Sequence, residues 1–340
     1  MSPAIDRSIA ELPRAVVSEP FSHGESAANS PAALIAKSDR HIDGFDLVRV
    51  FSAFNVVLFH VLAVRNGLWG RGSVIAFVMI AATLPAMRPD LGRFGKYTRR
   101  RAHRILLPWA VWSVVYGLIE LTRYLHSGRL PGWTWSNLLI GTSEHLWFFV
   151  YIFIASILLW GMLRVFRNVP LTVAATGLTL IAAPMIVINA HSPPFFDGTP
   201  PFGIWWRCFP AILLGISLGF AQRMGSKSKN SRSILFTGSV VLLAAAVSGA
   251  TGSLTMMFSY GVPAILLPAA MLLPWKNGRF VDFVADVSMG IYATHPLMLL
   301  VVRHFWGDAL SPLVSAPMVF VGALAISKGI KRLPGGRILV

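Results

Sequence analysis

Cysteine and charge are both scarce in this chain. One cysteine, Cys208, occurs in 340 residues, so no internal disulfide can form and no Cys/His metal spacing exists. It reads as a small apolar residue inside a helix. Charged residues make up 13% of the chain, about half the share of a soluble domain. A water-soluble fold would lack the polar surface to cover a composition that is 55% hydrophobic. Soluble catalytic signatures are absent as well: there is no G-x-S-x-G, no phosphate loop and no HExxH. No fixed-period repeat or inverted duplication is visible.

What is present is apolar and segmented. Ten hydrophobic stretches run roughly over 45–64, 72–87, 105–122, 146–163, 169–189, 203–221, 233–250, 254–273, 282–302 and 309–326. Each approaches the ~20 residues that a membrane-crossing helix needs. The expected fold is therefore an all-α integral membrane protein, about ten transmembrane helices in one bundle over 45–326. Residues 1–44 hold scattered charges and no long apolar run, so a disordered cytoplasmic tail is expected there.

The formal net charge is +16. On a soluble protein that would suggest nucleic acid, but here the basic residues sit in short connections, which is how membrane proteins are oriented. Lys37 and Arg40 precede the first span. Arg88 to Arg104 fill the second connection, Arg164 and Arg167 the fourth, Arg223 to Arg232 the sixth, and Lys276 and Arg279 the eighth. Lys328, Lys331, Arg332 and Arg337 lie in a basic tail at 327–340. Alternate connections are poorer in Lys and Arg, so both termini are expected in the cytoplasm, with the bilayer and not nucleic acid as partner.

Four constellations could carry chemistry. In the first span Arg49 and His60 are eleven residues apart, about three turns, so they share a face at about 16 Å along the axis. Ionisable groups inside a span usually mark a function; alone, Arg49 could equally snorkel to headgroups. The basic run at 96–109 includes Arg99, Arg100, Arg101 and Arg104. Composition alone makes it an orientation signal, and its functional reading is a phosphate grip. At 144–153, Glu144 and His145 open the fourth span, and Trp147 is as readily a belt aromatic as a site residue. Adjacent helical residues point apart, which argues against a Glu144–His145 partnership. In the ninth span Ser288, Tyr292 and His295 fall at i, i+4, i+7 on one face. Pro296 can free a backbone carbonyl there. The Pro-rich aromatic stretch around 191–210 could bind a sugar, though lying on the interface is the simpler reading.

These pieces, in this order, resemble the membrane acyltransferase-3 family of multi-span bacterial proteins that O-acylate glycans. Its R-x10-H pair is matched by Arg49 and His60, with Asp46 in the acidic place before them. Its R-R-x-x-R-I/L run is matched by Arg100, Arg101, Arg104 and Ile105, its H-L-W-F by His145 to Phe148, and its S-x-G-I-Y-x-x-H-P by Ser288 to Pro296. Where the family carries Ser-Gly in its second helix, this chain has Ala81-Ala82. The resemblance covers about 45–305.

The resemblance implies a bacterial inner-membrane O-acyltransferase that draws on cytosolic acyl-CoA, commonly acetyl-CoA, as donor substrate, with no permanently bound cofactor and no metal. The acceptor would be a hydroxyl of an extracytoplasmic or lipid-linked glycan. His60, Arg49, His145 and His295 are the implied catalytic residues, and Arg99, Arg100, Arg101 and Arg104 would hold CoA. Ser288, Tyr292, Trp147, Glu144 and Asp46 would bind substrate. A secondary transporter would also carry intramembrane Arg and His, but repeat symmetry is missing. A silent family member acting as a binding subunit is the third reading.

Overall fold

The computed structural model describes residues 42–62, 70–88, 90–128, 133–191, 201–225, 254–307 and 309–340, with 238, 245 and 247 as isolated helical positions. The expected tail at 1–44 lies outside them as far as residue 41, as does nearly all of the span expected at 233–250. Residues 42–340 form one compact unit, and no strand occurs among the described residues.

Among the described residues ten α-helices of seven residues or more carry the unit: α1 (Asp43–Leu62), α2 (Gly70–Ala86), α3 (Phe94–Ser127), α4 (Trp147–Val165), α5 (Leu171–His191), α6 (Phe202–Gly225), α7 (Leu254–Leu272), α8 (Arg279–Ala285), α9 (Ser288–Trp306) and α10 (Pro312–Arg332). Among the described residues six helices are long and apolar enough to cross a bilayer, or up to seven if α8 and α9, bent by 70°, count as one span. The chain is thus an all-helical, multi-pass membrane protein. α2 and α7 are shorter apolar helices.

Two helices differ from the expected spans for clear reasons. α3 begins at Phe94 and runs for 34 residues, about 51 Å at 1.5 Å per residue. The arginine run is therefore inside the helix, not in a loop before it. The span expected at 282–302 is broken at Asp286 and Val287. Asp286 at that bend takes Lys328 of α10 at 3.1 Å and also pairs with Lys331, so the break is fastened to a neighbouring helix.

α1 and α2 lie at the centre. α1 packs on α2, α7, α8, α9 and α10, and α2 on α6, α7 and α4. The α2–α6 contact rests on small residues, which let membrane helices approach closely. Gly215 and Gly219 on α6 face Ala82 and Ala86 on α2. A Cβ at Gly215 would stand 2.5 Å from the Met79 carbonyl oxygen and 2.8 Å from the Ala82 methyl. Thr83 closes the seam, its hydroxyl donating to the carbonyls of Met79 and Gly215.

Candidate active site

Three histidines from three separate elements meet. His60 lies in the last turns of α1, His145 in a 3-10 turn (Glu144–Leu146) leading into α4, and His295 in the middle of α9. The His60 and His295 ring centroids are 4.9 Å apart, and those of His145 and His295 5.6 Å. His145 and His295 are buried, whereas His60 is half-buried. His60 is therefore the member that a substrate can reach first. Among the described residues no group of three or more His, Cys, Asp or Glu is placed to hold a metal ion.

Each ring's orientation is set by its neighbours. Pro296 has no N–H, so the Tyr292 carbonyl four residues earlier loses its helical donor. His295 supplies one, since its Nδ1 lies 2.8 Å from that oxygen. A carbonyl only accepts, so Nδ1 carries the proton and, in the neutral ring, Nε2 presents a lone pair. That Nε2 is buried with no partner, as is Nε2 of His145. His145 Nδ1 meets the Ser143 hydroxyl at 2.9 Å. Two tyrosines then lock the elements together. The Tyr292 hydroxyl donates to the His145 carbonyl at 2.7 Å, and the Tyr116 hydroxyl of α3 donates to the Ala293 carbonyl at 2.8 Å. The Tyr116 ring meets His145 edge-on at 5.0 Å. Gly141 (φ 77°) turns the chain into this arrangement, tight against Ser113 of α3.

The other expected residues are elsewhere. Arg49 is bound to Asp46 one turn away (Nη1 to Oδ1, 2.7 Å). Eleven residues of helix separate it from His60, about 16 Å, beyond the reach of its side chain. Arg99, Arg100 and Arg104 are exposed on the first turns of α3, and Arg101 rests over the Tyr97 ring at 5.4 Å. Twelve residues, about 18 Å of helix, lie between Arg104 and Tyr116. Between them Trp112 donates its indole N–H to the Leu339 carbonyl at 3.3 Å, so residues after α10 line this stretch. Ser288 is buried at the start of α9, two turns from His295. Trp147 packs on Phe148 and Tyr151, and Glu144 is exposed. Neither joins the histidines.

The sequence profile described as an acyltransferase domain, acyltransferase-3, matches residues 42–330. The chain belongs to the acyltransferase-3 family. It is a multi-pass membrane acyltransferase. No curated protein and no solved structure matches it at a significant level.

In this acyltransferase the Ala81-Ala82 pair now has a structural place. Ala82 is buried against Gly215 in the α2–α6 seam, where a side chain larger than alanine would push the helices apart. Three residues around the histidines were not singled out from the sequence. Tyr116 carried a signal, since a tyrosine in the middle of an apolar span needs a partner for its hydroxyl. Ser143 stands two residues before His145, a spacing at which a hydroxyl can reach a neighbouring ring. Trp112, one turn before Tyr116, had no distinguishing mark in an apolar helix that also contains Trp109.

Proposed function

We propose that this acyltransferase moves an acyl group, most simply acetyl, from cytosolic acyl-CoA to a hydroxyl of an extracytoplasmic or lipid-linked glycan, as in polysaccharide O-acetylation during exopolysaccharide biosynthesis. The observation that carries this reading is the convergence of His60, His145 and His295, with two buried Nε2 atoms lacking partners. Buried unpartnered ring nitrogens point to something that completes them, and imidazole suits proton transfer near neutral pH.

The proposed setting is the bacterial inner membrane, with about ten spans and both termini cytoplasmic. The basic connections support that orientation. It puts Arg49 and the α3 arginines on the donor side and the histidines toward the acceptor side. Arg99, Arg100, Arg101 and Arg104 hold the CoA phosphates, because guanidinium groups pair with phosphate oxygens through two hydrogen bonds. No arginine side chain spans the ~18 Å of helix from Arg104 to Tyr116, so the donor's own pantetheine arm must, passing Arg49 and Trp112. Asp46 holds Arg49 in place. The acceptor oxygen attacks the thioester carbon as His60 takes the hydroxyl proton, the C–S bond breaks, and CoA thiolate leaves and recovers the proton. His295, whose Nε2 presents a lone pair, steadies the proton that His60 has taken, and His145 faces the developing oxyanion with Nε2–H when the Ser143 hydroxyl donates to its Nδ1. Tyr292 and Ser143 position rather than react, since Tyr292 gives its hydroxyl to the His145 carbonyl and Ser143 meets His145 Nδ1.

Two measurements test this reading. Mass analysis of surface glycans should show O-acetyl groups that vanish on deletion of the gene and return with it. Purified protein should bind radiolabelled acetyl-CoA, with affinity reduced when Arg100, Arg101 and Arg104 are replaced by Gln. Unaltered glycans and no CoA binding would refute it.

A further inference from the structure

The first turns of α6 meet an unusual set of side chains from other elements. Trp135, Phe202, Trp205, Tyr151 and Trp147 form a continuous ladder of rings. Successive centroids are 6.3 Å (Trp135–Phe202), 5.6 Å (Phe202–Trp205), 6.0 Å (Trp205–Tyr151) and 5.9 Å (Tyr151–Trp147) apart. The ladder starts at the surface, with Trp135 60% exposed, and ends at Trp147, two residues past His145. Trp147 does not touch the histidines itself, but the ring contacts continue from it through Phe148 (5.9 Å) and Tyr292 (5.0 Å) to His145 (5.9 Å).

The inner rungs have unmet polar groups. The Trp205 indole N–H and the Tyr151 hydroxyl are both buried without a hydrogen-bond partner. So are both side-chain atoms of Asn189 near the end of α5, a residue only 7% exposed. α5 and α6 run antiparallel, fixed by the Thr179–Ser217 hydroxyl pair and by Ser217 donating to the Ala175 carbonyl. Ten residues further along that register, Asn189 comes level with the Trp205–Arg207 turn of α6. Asn189 and Trp205 thus share one depth in the bundle, and the Tyr151 ring stands 6.0 Å from that of Trp205.

An interfacial aromatic belt accounts for Trp135 but not for this set. Belt residues turn their polar ends toward water and headgroups, whereas Trp205 and Tyr151 turn theirs inward. Native proteins satisfy nearly all buried polar groups, so several orphans at one level call for a ligand. Its chemistry follows from the walls. Aromatic faces accept apolar C–H surface, two donors seek oxygen, and one amide both donates and accepts. A sugar ring offers all of these at once. An acyl chain would leave every orphan unmet.

We propose that Tyr151, Trp205 and Asn189 form a sugar-binding subsite, approached past Trp135 and Phe202, that seats a ring of the acceptor glycan beside the histidine cluster. Trp205 is only half-buried, which leaves one edge of the subsite reachable from outside. The inference rests on the glycan-acceptor reading above.

The test uses purified full-length protein in nanodiscs, radiolabelled acetyl-CoA, and mildly de-esterified surface polysaccharide from a strain lacking the gene. Transfer is followed against acceptor concentration and, separately, against acetyl-CoA. Tyr151→Phe, Trp205→Phe and Asn189→Leu should each raise the half-saturating acceptor concentration about fivefold, the factor carried by one hydrogen bond of about 1 kcal/mol. The half-saturating acetyl-CoA concentration should not change, which separates lost recognition from general damage. Normal wild-type transfer with unchanged acceptor dependence in all three variants would overturn the subsite alone, as would equal shifts for donor and acceptor. No transfer by the wild type would overturn the glycan reading, and the subsite with it.

Discussion

At the scale of single residues, chemistry and support divide cleanly. His60 and His295 share a gap at 4.9 Å, while Tyr292, Ser143 and Tyr116 hold rings and carbonyls in place. Tyr292→Phe removes one hydroxyl and leaves the His145 carbonyl unmet, which should cost about 1 kcal/mol of stability. It should also lower transfer through displaced His145 while leaving acetyl-CoA binding intact. Thermal unfolding and CoA binding in detergent check both halves. Ser143→Ala should lower transfer about fivefold, the equivalent of one lost hydrogen bond, with acetyl-CoA saturation unchanged; rescue by Ser143→Thr would mark the hydroxyl as the cause. The histidines were legible as single suspects because ionisable groups are costly inside a span. Residue spacing alone did not bring them together, since that depends on how α1, α4 and α9 pack; only the family resemblance implied one shared site.

At the scale of elements, a proline and a glycine pair set the geometry. Pro296 frees the carbonyl that anchors His295. Pro296→Ala restores the missing N–H and removes a defect that costs ~3 kcal/mol in an ordinary helix. The expected outcome is a higher melting temperature together with slower transfer, because the new N–H takes the Tyr292 carbonyl and His295 loses its anchor. A melting temperature that rises with full activity retained would show that the Tyr292 carbonyl does not need to anchor His295. Gly215→Val forces two methyl groups into the seam at Met79 and Ala82. Overpacking of this kind costs about 1–3 kcal/mol, readable as reduced thermal stability; Gly177→Val, on open space in α5, is the matched control. Segment type was plain in the sequence, since apolar runs of near-bilayer length leave little choice but helix. The length of α3 was not, because its first turns are polar and read as a loop. The break at Asp286 was less plain too: Asp282 and Asp286 mark the run as polar, but the fastening of the break to Lys328 and Lys331 depends on how α10 packs.

At the scale of the whole molecule, direction is the property that matters. The proposed roles of the arginines with the donor and the histidines with the acceptor require opposite sides of one bilayer, which the pattern of basic connections supports. Single cysteines introduced by Arg100→Cys and Trp135→Cys in a Cys208→Ala background test it. An impermeant maleimide applied to spheroplasts should label the second and spare the first until the membrane is opened. The most direct measurement is glycan O-acetylation by His60→Ala and His295→Ala in a host lacking its own enzyme, at membrane abundance equal to the wild type. Loss of an acid–base group should cut transfer by about 10²–10⁴ while acetyl-CoA binding persists. Transfer at the wild-type rate by both variants would contradict the histidine cluster as the site of acyl transfer.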